Sequence, residues 1–305
     1  MLRYIVKRVG YGIFTLFIVS VLTFFLMNLI PGGPFQSEKA KSEATMAALE
    51  EKYGLDKPLP VQYVTYMKNV FNGDLGDSLK QRGRTVNEII ATGFPTSAKL
   101  GGFAVLFAVL IGIPLGCIAA LNRGKWLDHI LIIFTTTGIA IPSFITATLL
   151  MYFFGVKLEW LPTLGLTSAK HYILPVISLA LYPTAYICRL MRSSILDVLG
   201  QDYMTTARAK GLSQRVRLFK HALRNAILPV ITYLGPLLAS TLCGSFIVEK
   251  LFTIPGLGSE FISSITSRDY PLVMGTTLFY ASLIIIMNVL VDIVYKLVDP
   301  RIKLN

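Results

Sequence analysis

In the segment Asp202-Tyr203-Met204-Thr205-Thr206-Ala207-Arg208-Ala209-Lys210-Gly211, residue type and spacing point to a chemistry of contact rather than of bond-making. It is a polar, basic island between two apolar runs, continued by His221-Ala222-Leu223-Arg224-Asn225-Ala226-Ile227-Leu228-Pro229. Ala207 and Ala209 are small, and Gly211 can take the left-handed conformation that ends a helix. Ser213 can cap the helix that follows. These features predict two short helices broken at Gly211, an elbow that another protein can grip.

Residue patterns for bond-making are missing. No Gly-x-x-x-x-Gly-Lys-Ser/Thr phosphate cradle occurs, and neither His-Glu-x-x-His nor Gly-x-Ser-x-Gly is present. His129, His171 and His221 are scattered, which argues against a metal site. Cys117, Cys188 and Cys243 sit in or at the ends of apolar runs without ligand spacing, and are read as small hydrophobes in a packed bundle.

The elements that must carry the elbow are membrane helices. Of 305 residues 53% are hydrophobic and 15% charged, with mean hydropathy +0.61, whereas soluble domains carry roughly a quarter charged residues. Apolar runs at about 9–30, 97–121, 129–154, 173–191, 228–248 and 273–295 reach the ~20 residues that cross a ~30 Å hydrocarbon layer. The first has an apolar core too long for a cleaved signal, and only Pro31-Gly32-Gly33-Pro34 follows it, so it is expected to stay as a spanning helix. Pro114, Pro142, Pro175, Pro183 and Pro236 fall within the other five, where each removes a backbone hydrogen bond. Gly112 and Gly116 form a Gly-x-x-x-Gly pair suited to close helix contact.

Charge sets the orientation. The N-terminus (Arg3, Lys7, Arg8), the 122–128 turn (Arg123, Lys125), the basic 189–227 region and the C-terminal end (Lys296, Arg301, Lys303) fall on one side, which the positive-inside rule makes cytoplasmic for both termini. The net charge of +12 is thereby accounted for without a nucleic-acid partner. The middles of the runs hold no Asp, Glu, Lys, Arg or His, which disfavours a proton-coupled transporter or a membrane enzyme. What lies at depth is neutral and polar, including Thr135, Thr148, Ser178, Ser240, Thr241 and Thr276, and most of these hydroxyls are expected to bond backbone carbonyls.

Between the first two runs, helical stretches are expected at Glu43 to Tyr53 and at about Val61 to Phe71, followed by the turn-rich Asn72-Gly73-Asp74-Leu75-Gly76-Asp77-Ser78. Thr85-Val86-Asn87-Glu88 matches a capping box opening a short helix. The segment is read as a small helical cap at the outer mouth. Glu249 and Arg268-Asp269 are expected in solvated or interfacial outer turns.

With these residues on the page, the chain resembles the B-type permease of oligopeptide, dipeptide and nickel ABC importers over almost its whole length. The resemblance is carried by Gly73-Asp74-Leu75-Gly76-Asp77-Ser78, Arg192-Ser193-Ser194, the run to Gly211-Leu212-Ser213, Leu223-Arg224-Asn225-Ala226-Ile227-Leu228-Pro229, Pro255-Gly256-Leu257-Gly258 and Arg268-Asp269-Tyr270-Pro271. Thr205-Thr206-Ala207 stands where the wider superfamily has Glu-Ala-Ala. The resemblance implies an all-α integral membrane protein with six transmembrane helices, the type I importer fold. It would comprise an N-terminal helix (1–30), an external cap (31–96), a permease core (97–298, coupling loop about 200–228) and a cytoplasmic tail (299–305). It further implies that Asp202, Thr206, Ala207, Ala209, Lys210, Gly211, Leu212 and Arg215 dock on an ATPase.

The implied partners are a second, homologous permease, two cytoplasmic ATPase subunits and an external solute-binding protein, in a bacterial cell membrane. The chain itself is expected to bind no cofactor, ATP and Mg being held by the ATPases. Peptides are the leading solutes, with nickel chelates or other small solutes as alternatives. The path is expected to be lined by neutral polar and aromatic groups and to bind substrate weakly.

Overall fold

An apolar helix of 28 residues, α1 (Leu2–Leu29), opens the fold and lies against the last helix of the chain. The computed structural model describes residues 2–29, 33–35, 51, 53–213, 216–242 and 245–298. Arg215, Cys243, the 299–305 tail and most of the helix expected at Glu43 to Tyr53 lie outside the described residues. In chain order there follow α2 (Leu59–Phe71), α3 (Val86–Leu121), α4 (Trp126–Ala140), α5 (Ser143–Leu150), α6 (Lys170–Leu199), α7 (Asp202–Ala209), α8 (Leu223–Ala226), α9 (Leu228–Leu242), α10 (Phe246–Leu251), α11 (Leu257–Ser267) and α12 (Tyr270–Val298). π-Helical turns extend α5 over Met151–Lys157 and precede α8 over Arg217–Ala222. Among the described residues the one β contact is the isolated bridge between Asp77 and Thr85.

Among the described residues five stretches are long and apolar enough to cross a membrane, and the third apolar run makes a sixth only as a bent pair. That run breaks at Ile141-Pro142, where α4 and the α5 segment meet at 104°. Pro95, Pro114, Pro175, Pro183 and Pro236 sit inside helices that continue. The expected capping box is present, with Glu88 N donating to Thr85 Oγ1 and Thr85 N to Glu88 Oε2, both at 3.1 Å. It opens no short helix: the helix runs on through Pro95 for 36 residues as α3. At roughly 1.5 Å per residue α3 is about 54 Å long, far more than the bilayer needs, so one end stands outside the hydrocarbon.

α3 and α6 form the frame. A Cβ on Gly112 would lie 2.9 Å from the Thr184 carbonyl, and one on Gly116 would lie 2.6 Å from that of Cys188. The two backbones therefore touch where the Gly-x-x-x-Gly pair faces them, the close approach that drives helix association where lipid is as apolar as leucine. Around this contact a buried cluster gathers Ala108, Cys117, Ile187, Met191 and Ile195 with Met204, Ala222 and Ala226. Cys117 and Cys188 are free and buried. The deep hydroxyls bond back to their own helices as expected, Ser178 to the Leu174 carbonyl at 2.7 Å and Thr135 to that of Ile132 at 3.0 Å.

The frame generates a prediction. Gly116→Ala should destabilise the purified chain by about 1–3 kcal/mol through overpacking, whereas a Cβ at Gly102 meets nothing within 4 Å. Thermal unfolding in detergent should therefore separate Gly116→Ala from Gly102→Ala, and equal midpoints would contradict the close-contact account.

Candidate functional site

The elbow is built as a helix end. α7 spans Asp202–Ala209, and Gly211 follows it with φ +74°, a conformation that a residue bearing a Cβ adopts at a cost. Leu212 N donates to the Ala207 carbonyl at 3.3 Å and Lys210 N to that of Thr206 at 3.0 Å. The Leu212 bond reaches back across Gly211 to the third residue from the helix end, the arrangement of a Schellman cap. Ser213 Oγ stands 3.5 Å from the amide of Val216, at the start of the next helical turn.

The two faces of α7 divide the sequence-predicted residues. Met204 (2% exposed) and Ala207 (8% exposed) point inward. Met204 belongs to the buried cluster of Met191, Ile195, Ala222 and Ala226. Asp202, Thr206, Ala209, Lys210 and Gly211 are exposed, and Leu212 is half-buried. Ala207 is thus small because it faces the chain's own body, three residues on from Met204 along one helix face. The elbow is fastened at its root, where Asn225 Nδ2 donates to Tyr203 Oη at 2.9 Å.

At the same end of the bundle as the elbow lies an ion pair that sequence reasoning missed. Arg192 Nε donates to Asp128 Oδ1 at 2.6 Å and Nη2 to Oδ2 at 2.8 Å, a two-pronged match of guanidinium to carboxylate. Gly124 N adds a third bond to Oδ2 at 2.9 Å. Asp128 is 1% exposed. The pair ties the 122–128 turn to α6 seven residues before its end and places both on the same end of the bundle.

The outer turns depart from expectation. Glu249 and Asp269, expected in solvated or interfacial turns, are both fully buried. Ser259 N donates to Glu249 Oε2 at 3.2 Å, and Leu257 N donates to Ser97 Oγ at 2.9 Å, so the first turn of α11 is capped by two distant parts of the chain. Gly256 and Gly258 are required here, since a Cβ on either would sit 2.2 Å or 2.9 Å from that carboxylate oxygen. Asp269 accepts from the Ser78 hydroxyl, from Leu79 N at 3.1 Å and from Leu272 N at 3.4 Å, pinning the 73–85 turns to the start of α12. The physical cause is one for both: helix starts inside a bundle need acceptors, and carboxylates supply them.

A cavity of about 740 Å³ opens at the bend between α4 and α5. Ile141, Pro142 and Ser143 line one wall, and Tyr182, Tyr233 and Ser240 another. Tyr182 stacks on Tyr186 at 6.2 Å between ring centroids, and Tyr186 meets Tyr233 at 4.3 Å.

Two family descriptions match the chain. "Binding-protein-dependent transport system inner membrane component" covers residues 112–304, and the N-terminal part of the same kind of membrane component covers 1–100. A protein of Bacillus subtilis named dipeptide transport system permease protein DppB is 49% identical over 305 residues, 100% of this chain and 99% of that one. The oligopeptide transport system permease proteins OppB of Haemophilus influenzae and Salmonella typhimurium are 44% and 42% identical, each over 99% of this chain and 100% of its own length. In fold, the chain is similar to a subunit of the MetNI methionine ABC transporter in an inward-facing conformation (TM-score 0.56, 17% identity, 69% of this chain and 96% of that one). It is also similar to a chain of an amino acid ABC transporter solved with histidines (TM-score 0.55, 18% identity, 69% and 94%).

Proposed function

We propose that this chain, which belongs to the family of binding-protein-dependent transport system inner membrane components, forms half of the translocation path of a peptide importer driven by ATPases that dock on its elbow. The observation that carries this reading is the elbow itself: an exposed helix face ended by a left-handed glycine, with its inner face packed through Met204 into the buried cluster of Met191 and Ile195 on α6. The names of the relatives that match end to end support dipeptides or oligopeptides as the cargo. Their full coverage supports a subunit of the same kind.

The chain has no phosphate-binding loop, so its energy must arrive by contact. Two cytoplasmic ATPases, which hold ATP and Mg, are assigned to that role, with this chain binding no cofactor of its own. A second, related permease completes the path, and an external binding protein delivers the peptide. Asp202, Thr206, Ala209, Lys210, Gly211 and Leu212 form the surface offered to the ATPase, with Arg215 beyond them and Ala207 setting the seat of α7 from inside. Closure of the ATPases on ATP draws the elbows of the two permeases together and opens the path alternately to either side.

The membrane is a bacterial cell membrane, and the excess of Lys and Arg at the elbow end makes that end cytoplasmic. Cysteine labelling in intact cells tests the orientation on a cysteine-free background. Asn72→Cys should react with an impermeant reagent and Ser213→Cys should not; the reverse pattern would overturn the topology.

Docking is tested at the glycine. A Cβ at Gly211 meets nothing within 4 Å, so substitution there acts through backbone conformation alone. Gly211→Val should cost of order 1–2 kcal/mol and weaken ATPase association roughly tenfold. Gly211→Asn, which tolerates the left-handed region, should retain most of the association and most peptide uptake. Ala209→Asp should leave folding intact and block docking by charging the exposed face. Wild-type peptide uptake by both Gly211→Val and Ala209→Asp would sink the docking role.

A further inference from the structure

The bend at Ile141-Pro142 lies deep. The 15 residues of α4 rise roughly 22 Å from the end held by Asp128, so the break falls inside the ~30 Å hydrocarbon layer. Non-helical backbone at such depth survives only where protein buries it or where it lines a watered cavity. Here it lines the cavity shared with Tyr182, Tyr233 and Ser240.

Three sets of polar groups converge on that space. A helix ending at Ala140 leaves its last carbonyls without intrahelical donors. Ile141 N takes the Thr137 carbonyl at 3.0 Å, and Pro142 has no N–H to continue the series. On the other side of the bend, Ile145 N at 3.1 Å and Thr146 N at 3.3 Å take the Pro142 carbonyl, which leaves the amides of Ser143 and Phe144 at the open start of α5. The tyrosines and serines add hydroxyls that both donate and accept. Ser240 Oγ already donates to the Leu237 carbonyl at 3.0 Å, so its lone pairs remain as acceptors. Among the described residues, no charged side chain lines the cavity.

We propose that this cavity is a transit site for the peptide main chain, in which the amides and carbonyls of the cargo pair with the open backbone groups of the α4–α5 bend and with Tyr182 and Tyr233. The site rests on the permease function proposed above and gives it a recognition chemistry. An unpaired amide brought from water into an apolar passage costs roughly 1–3 kcal/mol in proteins, so a path for peptides must offer partners along its length. Backbone groups and hydroxyls offer them without reference to sequence. A lining free of charge neither traps nor rejects a cargo for the charge on its side chains.

The test uses the assembled importer in liposomes with its ATPases and binding protein. The probes are trialanine, trialanine N-methylated at its central amide, Ala-Lys-Ala and Ala-Glu-Ala. Affinities of the isolated binding protein are measured in parallel, and uptake is compared at saturation. The wild type should carry the lysine and glutamate peptides comparably and the N-methyl peptide more slowly than trialanine. Tyr182→Phe combined with Tyr233→Phe should slow trialanine about fivefold while narrowing the gap between trialanine and its N-methyl form.

Ser240→Asp should separate Ala-Lys-Ala from Ala-Glu-Ala by about tenfold or more. A photocrosslinking residue at Tyr233 should capture labelled trialanine during turnover. Capture of only the second permease in every state, or an undiminished N-methyl penalty in the double variant, would overturn the transit site while leaving the permease function intact. Absence of peptide uptake by the wild type would overturn both.

Discussion

Backbone contact between α3 and α6 sets the positions of everything else. Gly112 and Gly116 let the two helices approach until a methyl group has no room. In a membrane this contact supplies what the hydrophobic effect supplies in water, because surrounding lipid offers apolar side chains no reason to associate. α6 fixed in this way carries Tyr182 at the cavity, Arg192 at the ion pair and, past Leu199, the elbow. A shift of the α3–α6 contact would move all three together.

A second constraint is the cost of polar groups away from water. Among the described residues it is met by three buried carboxylates used in different ways. Asp128 is matched to a guanidinium and a backbone amide, a complete set of partners at the elbow end. Asp269 accepts from three amides and a hydroxyl, fastening the outer turns to the start of α12. Glu249 uses one oxygen on Ser259 N, and its Oε1 has no hydrogen-bond partner among the described residues. The outer end is therefore held by carboxylate-to-amide bonds, and the inner end by a guanidinium matched to a carboxylate.

How far the sequence foretold this depends on the range of each interaction. Gly211, the Thr85–Glu88 box and the hydroxyls that bond back to their own helices are local, decided within about four residues, and all three were legible. The bend was half legible. Pro142 and Pro114 look alike in sequence, yet one ends a helix and the other sits inside one, because the outcome depends on what neighbours each freed carbonyl. Glu249 and Asp269 were misread as solvated or interfacial because their partners lie far off in the chain: Asp269 bonds residues 190 positions away, and Ser97 caps Leu257 across 160. Ala207 was legible as small but not as inward-facing, since the face that α7 buries is chosen by Ala222 and Ala226 beneath it.

The separation of elbow and cavity sets what α6 must do. From Tyr182 to Leu199 it runs unbroken, roughly 26 Å at 1.5 Å per residue. A continuous helix of that length transmits rotation and translation with little loss, since its backbone bonds and its packing on α3 resist bending. Pro183 lies in this helix directly beside the cavity, where a missing N–H weakens one rung of the ladder. The stiff part therefore faces the elbow and the compliant point faces the bend at Pro142. Under the proposed docking, force applied at the elbow would be expressed where Tyr182 and the open α4–α5 backbone meet.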